Sequence, residues 1–133
     1  MALIDKKCLP CRGGTPPLTS AAMINYQRQI AEAWLVIGDK TSTSPRPKKI
    51  RRRFTFKNFQ AAMKFVNAVA ERAILEDHHP DIHIAWNKVT LELWTHAIGG
   101  LSESDFILAA KIDVLPEARL QIYASPPPEA AVN

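Results

Sequence analysis

Two alternating segments, joined by a short break, constrain the fold of this chain more than any other feature. Apolar residues occupy every second position on both sides of the break: Ile82, Ile84 and Trp86 before it, and Val89, Leu91 and Leu93 after it. Side chains on a strand repeat their direction every two residues, so each segment predicts a half-buried strand. The parity changes at Asn87-Lys88, which indicates a tight turn or a bulge. Together the two segments predict a β-hairpin within an antiparallel sheet.

The first part of the chain predicts a helix followed by a short strand. Thr19 or Ser20 is a candidate N-cap, because its hydroxyl can accept from the first free backbone N–H groups. The apolar stripe of this helix comprises Met23, Tyr26 or Gln27, Ile30 and Trp34. The run WLVIG, which ends at Gly38, then predicts a short strand.

A second strand and two further helices complete the pattern. The strand alternates from Ile50 through Arg52 to Phe54 and Phe56, and Arg52 is expected near its frayed start. The long helix that follows has a stripe made of Phe59, Met63, Val66, Ala70 and Ala73. Ser102 and Asp105 form an S-x-x-D capping box, which predicts a last helix running through Ile112.

This order of elements predicts an α+β fold. Its order is α-β-β-α-β-β-α, with a four-stranded antiparallel sheet and three helices packed on one face. We expect an irregular N-terminal arm over residues 1–18, a single domain over 19–113 and a tail over 114–133. The tail contains LQIYAS, a candidate short strand, and PPPEAAVN, which is expected to be disordered.

Composition and charge exclude some classes of protein. The chain has 133 residues and contains no run of eighteen apolar residues, so the sequence predicts no membrane span. Its start lacks the features of a secretory signal, so the cytoplasm is the expected location. The basic run RPKKIRRR over residues 46–53 could attract an acidic partner. Aromatic residues do not interleave with it, so a solvated surface is favoured over a nucleic-acid site.

The two cysteines, Cys8 and Cys11, have a C-x-x-C spacing. A zinc ribbon needs a second pair, which the sequence does not contain, and a redox motif needs a strand before and a helix after the pair. The surrounding CLPCRGGTPPLT is instead rich in glycine and proline. We therefore favour free thiols in a loop or packing role, with metal or redox chemistry as the alternative.

Three histidines lie where the predicted hairpin would bring them together. His78 and His79 precede its first strand, and His96 follows its second. Imidazole can donate or accept a proton near neutral pH, so this group suits acid–base catalysis. Hydrogen bonding with a purely structural purpose is the alternative. Zinc binding by His78, His79 and His83 is disfavoured because Pro80 prevents the helix that would align them, and we expect His83 on the surface.

The segment DHHPDIHIAWNKVTLELWTHAIGGLSESDFILAAKID closely resembles the pterin-4a-carbinolamine dehydratases. It has the HHP, NKV, TH and GLSxxD motifs of that family in the same order and spacing. The resemblance extends over FTFKNFQAAMKFVNAVAERA and, more loosely, over Trp34 and an arm similar to the CxPCRGGxPPL arm of bacterial and plant members. It therefore covers nearly all of residues 8–113.

The resemblance implies an activity and a site. Members of this family dehydrate 4a-hydroxytetrahydropterin to quinonoid dihydropterin in tetrahydropterin recycling, without a metal or cofactor, and they form homodimers or homotetramers. By resemblance, the catalytic and pterin-binding residues here are His78, His79 and His96. By resemblance, the residues that line the same pocket are Asp77, Pro80, Thr95 and Ala97.

Three departures from the family pattern leave a second function open. Ile74 stands where many members carry a charged residue, Ser104 replaces a common arginine, and the loop over residues 39–49 is longer and basic. Some relatives are non-catalytic interaction proteins, either transcriptional coactivators or RuBisCO assembly factors. Retention of all three histidines favours the enzyme, because a scaffold does not need converging imidazoles.

Overall fold

The computed structural model describes residues 1–9, 15–16, 18–38 and 47–122. Its helices are α1 (Ser20–Gln27), α2 (Phe59–Glu76) and α3 (Glu103–Asp113), and its strands are β1 (Leu35–Gly38), β2 (Pro47–Thr55), β3 (Asp81–Ala85) and β4 (Lys88–Leu93). This order confirms the predicted α+β fold. Three short 3-10 turns lie at Leu3–Asp5, His96–Ile98 and Pro116–Leu120. No helix in these ranges is long and apolar enough to cross a membrane.

The four strands form one antiparallel sheet in the order β1-β2-β4-β3. The predicted hairpin is β3–β4, whose register places Ala85 opposite Lys88. Its loop is therefore Trp86-Asn87, one residue earlier than the predicted Asn87-Lys88. Lys88 lies within the ladder because it also pairs with Thr55 of β2.

The helices cover one face of the sheet, and the core lies between the two layers. Ile50, Phe54, Leu91 and Leu93 project into this core and are fully buried. The predicted stripe of α2 was partly wrong, since Phe59 is 48% exposed. The buried residues of this helix are Ala61, Ala62, Phe65, Val66, Val69, Ala73 and Glu76.

Arg52 is buried, and its predicted place at a frayed strand end was wrong. Its guanidinium lies 2.6 Å from Oδ1 of Asp113 and 4.3 Å from the ring centroid of Phe54. The Asp113 carboxylate also accepts from the indole N–H of Trp34 and the backbone N–H of Ala31, both at 2.8 Å. Burial raises the pKa of Asp113 despite these donors. An inward-facing arginine is therefore compatible with this strand because a buried carboxylate faces it.

The first helix and the tail also differ from their predicted forms. Thr19 caps α1 as predicted, but the helix ends at Gln27, and Trp34 is buried in the segment before β1. In the tail, residues 116–120 form a 3-10 turn, and Gln121 makes a single bridge to Phe56. The rest of LQIYAS from residue 123, PPPEAAVN, Cys11 and most of the 39–49 loop lie outside the described residues. The domain boundaries stay predictions.

Candidate active site

His78 lies at the junction between α2 and β3. The helix ends at Glu76, and Asp77 then adopts a left-handed conformation with a φ of 51°. This turn lets the backbone N–H of His78 donate to the carbonyl of Ala73 at 3.1 Å, in the manner of a Schellman motif. Pro80 cannot continue a helix, and β3 begins at the next residue. The local sequence thus fixes the backbone that presents the histidine pair.

Asp105, in the first turn of α3, is the partner of His78. Nε2 of His78 lies 2.6 Å from Oδ1 of Asp105, whose side chain is fully buried. An ionised carboxylate only accepts hydrogen bonds, so Nε2 is the donor. The lone pair of the neutral His78 ring is therefore on Nδ1. This arrangement selects one tautomer and orients the ring.

The second oxygen of Asp105 accepts two further hydrogen bonds. The Thr95 hydroxyl donates to Oδ2 at 2.8 Å, and the backbone N–H of Ser102 donates to it at 2.9 Å. The hydroxyls of Thr95 and Ser102 lie 2.6 Å apart. Since the Thr95 proton is used on Asp105, the Ser102 hydroxyl donates to Thr95. These donors compensate for the burial of the carboxylate and hold it in one position.

His96 is held by stacking rather than by a carboxylate. Its ring lies 3.8 Å from the Trp94 ring, centroid to centroid, with an interplanar angle of 26°. The indole N–H of Trp94 donates to Oδ2 of Asp81 at 2.9 Å. His96 is exposed at the start of the His96–Ile98 3-10 turn, which is followed by Gly99, where the φ of 60° suits glycine. Trp94 therefore connects His96 to the start of β3.

The three histidines lie at the same end of the β3–β4 hairpin. Asp81 is opposite Glu92 in the ladder, so the residues before Asp81 and those after Glu92 share this end. His78 is linked through Asp105 to Thr95, the neighbour of His96. His79, two residues before Asp81, is exposed. One partly buried imidazole and two exposed ones thus occupy a small part of the surface.

The other predicted pocket residues differ in their access to this surface. Asp77 and Ala97 are exposed beside His78 and His96, and Pro80 is half-buried. Thr95 is buried and contacts the site through Asp105. The binding roles of all four residues stay predictions.

The sequence interpretation did not assign Asp105 or Trp94 to the site. Asp105 was identified only as half of a capping box, which the structure contains. The capping box accounts for the hydrogen bond from the Ser102 N–H to one oxygen of Asp105. The other oxygen of the same carboxylate accepts from His78. The sequence signal available was an acidic residue in the first turn of a helix that begins soon after His96.

His83 lies on the strand face away from the core, as predicted. Its side chain is 66% exposed and lies 3.7 Å from Glu92. Among the residues that the structure describes, no three His, Cys, Asp or Glu side chains are placed to hold a metal ion.

Comparison with known proteins identifies the class to which this fold and site belong. The profile of the family described as Pterin 4 alpha carbinolamine dehydratase matches residues 16–115. The chain therefore belongs to the pterin 4 alpha carbinolamine dehydratase family.

Individual relatives agree with this assignment. A protein of Nitrosospira multiformis named "Putative pterin-4-alpha-carbinolamine dehydratase" is 49% identical over 113 residues, which cover 85% of this chain and 91% of the relative. A protein of the same name from Alkaliphilus metalliredigens is 46% identical over 111 residues, covering 84% and 93%. The crystal structure of a transcriptional coactivator/pterin dehydratase from Brucella melitensis superimposes with a TM-score of 0.63 at 31% identity, covering 74% of this chain and 96% of that one.

Proposed function

We propose that the protein dehydrates 4a-hydroxytetrahydropterin to quinonoid dihydropterin, as a step in tetrahydropterin recycling. The observation that carries this proposal is the His78–Asp105 pair, which lies at the same hairpin end as two exposed imidazoles. The family of the chain supports the reaction class and a pterin as the substrate.

The reaction needs two proton transfers. The C–O bond to the departing hydroxyl breaks, and an acid must supply the proton that turns the hydroxyl into water. A base removes a ring N–H proton, whose electron pair forms the new C=N bond. Two imidazoles of suitable protonation state can perform both transfers, each contributing about a hundredfold to ten-thousandfold to the rate.

His78 is suited to act as the base. The lone pair of its neutral ring is on Nδ1, because Nε2 donates to Asp105. The positive charge that His78 gains when it accepts a proton is compensated by the buried carboxylate of Asp105 at 2.6 Å. The acid is then one of the exposed imidazoles, His79 or His96, and the other orients the pterin by hydrogen bonding.

The test is the dehydration rate of chemically generated 4a-hydroxytetrahydropterin. We expect His79→Ala and His96→Ala both to lower kcat: by about a hundredfold or more in the variant that lacks the general acid, and by less in the variant that lacks the orienting histidine. His83→Ala is the matched control, because this histidine is exposed and faces away from the core; its activity should equal that of the wild type. A wild-type protein no faster than buffer would overturn the proposal.

Partner binding is a second candidate function. The Brucella melitensis protein is described as both a transcriptional coactivator and a pterin dehydratase. In this chain Ile74 and Leu75, near the end of α2, are 68% and 63% exposed, which provides an apolar surface for another protein or a second copy. Sedimentation of the wild type and of Ile74→Glu would show whether this surface assembles a homodimer or homotetramer. A monomer in both cases would leave the surface to a different protein partner.

A further inference from the structure

The first nine residues precede the segment that matches the family, which begins at residue 16. They are nevertheless attached to the domain. The Leu3 side chain is buried at 1% exposure, and its backbone N–H donates to Oε1 of Gln29 at 2.9 Å. Cys8 is also buried. Residues 3–9, which we call the arm clamp, therefore run along a fixed path over the helices.

The arm clamp is hydrogen-bonded to the end of α2. The backbone N–H of Cys8 donates to Oε1 of Glu76 at 2.9 Å, and Nζ of Lys111 lies 2.7 Å from the other oxygen. Glu76 is 5% exposed and is the last residue of α2. His78 follows only two residues later. The contact is therefore made at the base of the turn that presents His78.

The arm clamp is also hydrogen-bonded to the start of α3. The Ser104 hydroxyl donates to the carbonyl of Leu9 at 3.0 Å and accepts from the Leu9 N–H at 3.1 Å. The Cys8 thiol donates to the Ser104 carbonyl at 3.4 Å, and Lys6 forms a 2.8 Å ion pair with Glu103. Ser104 is buried and immediately precedes Asp105. Ser104 therefore joins the arm clamp to the first turn of α3.

We propose that the arm clamp is a positioning element for the His78–Asp105 pair. The two members of this pair are on different helix ends, and their 2.6 Å contact requires those ends to keep a fixed separation. The arm clamp binds the residue before Asp105 and the residue two before His78. Its effect on catalysis rests on the proposed dehydratase function. Small displacements of a catalytic group lower the rate strongly, so a loosened pair should lower kcat more than it alters KM.

The main test uses Ser104→Ala, which removes both hydrogen bonds to Leu9 while leaving Asp105 in place. We expect kcat to fall by between about twofold and twenty-fivefold, since each net hydrogen bond changes the ratio of clamped to released arm about fivefold and two such bonds are removed. KM should stay within about twofold of the wild type. Amide hydrogen exchange should accelerate both at residues 102–106 and at residues 77–78, whose N–H groups donate to Ile74 and Ala73, although only the first segment was altered.

Thr19→Ala is the matched control for this test. It removes the N-cap bond to Ala22 at 3.1 Å, at the end of α1 remote from the Tyr26–Glu103 contact, and so lowers stability without altering a residue of the arm clamp or of the pair. At a similar loss of thermal stability, Thr19→Ala should keep the wild-type kcat and the slow exchange at residues 77–78. Equal losses of kcat in the two variants would overturn the proposal, because stability alone would then explain them.

A second pair of variants covers the case in which Ser104→Ala fails to fold. Glu76→Gln keeps an acceptor for the Cys8 N–H, whereas Glu76→Leu removes it. We expect Glu76→Gln to keep most of the activity and slow exchange at residues 102–106, and Glu76→Leu to lose both. The positioning role would be overturned if exchange were unchanged at residues 77–78 in folded Ser104→Ala and at residues 102–106 in folded Glu76→Leu. If the wild type has no dehydratase activity, the exchange results alone decide whether the arm clamp positions the pair.

Discussion

At the scale of single residues, Asp105 joins local helix formation to the chemistry of the site. One of its oxygens accepts from the Ser102 N–H and the Thr95 hydroxyl, and the other accepts from His78. A carboxylate can do this because each oxygen has two lone pairs. An amide of the same shape has only one oxygen. The difference between the two groups therefore tests the proposed tautomer of His78.

Asp105→Asn should remove the ability of His78 to act as the base, while leaving the fold intact. The amide oxygen can keep the bonds from Ser102 and Thr95, which leaves the NH2 group facing Nε2 of His78. Nε2 then becomes an acceptor, and the ring proton moves to Nδ1. We expect kcat to fall by about a hundredfold or more. Ring ¹⁵N shifts of His78 should show the exchange of tautomers, and unchanged shifts would contradict this account.

Cys8 should react slowly with alkylating agents in the folded protein. Burial, assisted by the negative charge of Glu76, raises the pKa of the Cys8 thiol to about 12. At pH 8 the thiolate fraction is then about one in ten thousand, and the thiolate is the reactive form. Peptide mapping after iodoacetamide treatment should show Cys8 modified quickly in urea and slowly without it. Equal rates in both conditions would show that the arm clamp is open in solution.

At the scale of elements, Asn58 is the residue that starts α2. Its side-chain oxygen accepts from the backbone N–H of Ala61 at 2.9 Å. Asn58→Ala should lower the free energy of unfolding by about 1 kcal/mol, the usual effect of losing an N-cap. Urea unfolding at pH 7 measures this loss. Because Asn58 lies at the opposite end of α2 from His78, kcat should not change; a large loss of activity would contradict the position of the site.

The sequence predicted the type of each element better than its buried face. Period-two alternation identified the hairpin, because its polar and apolar sides are distinct. The stripe of α2 was assigned from Phe59, yet alanines make up much of the buried face, so size and polarity alone did not fix the rotation. The burial of Arg52 depends on Asp113, which is sixty-one residues away. Such long-range partners are not visible in a local pattern.

The candidate site was predictable in the same limited sense. The alternation predicts the hairpin, which brings residues 78–79 and 96 to one end, although the loop lies one residue earlier than predicted. The roles of these histidines came from the family resemblance. The partner of His78 did not follow from either argument, because Asp105 lies in a helix whose position on the sheet is set by packing. Long-range geometry therefore limits what the sequence alone can show.

At the scale of the whole molecule, three glutamates among the described residues connect segments that are distant in the chain. Glu92 of β4 contacts Lys49 and Arg51 of β2, at 3.2 and 2.6 Å. Glu76 joins α2 to α3 and to the arm clamp, and Glu103 joins α3 to the arm clamp and α1. These contacts hold the sheet, the helices and the N terminus in one arrangement.

The protein should therefore lose stability in acid. Burial alone would raise the pKa values of Glu76 and Glu92. Hydrogen-bond donors outweigh this effect and lower both pKa values: Lys111 and Cys8 act on Glu76, and Arg51 and Lys49 act on Glu92. The pKa values of Glu76 and Glu92 in the folded protein are therefore below the ordinary 4.5. The pKa of Glu103 is lowered as well, mainly by its hydrogen bond from Lys6. A lowered folded pKa contributes stability that is complete above the unfolded value and is lost as pH falls through the folded one. Asp113, with its raised pKa, has the opposite dependence.

Glu92→Gln tests the cross-strand contribution to this behaviour. The amide cannot ionise, so the variant should be less stable than the wild type at pH 7 and should approach it as pH falls below the ordinary pKa of 4.5. Urea unfolding at several pH values in this window measures the difference. Glu71→Gln, an exposed position on α2, is the control and should follow the wild-type curve. A constant difference between Glu92→Gln and the wild type at every pH would mean that ionisation of Glu92 does not stabilise the sheet.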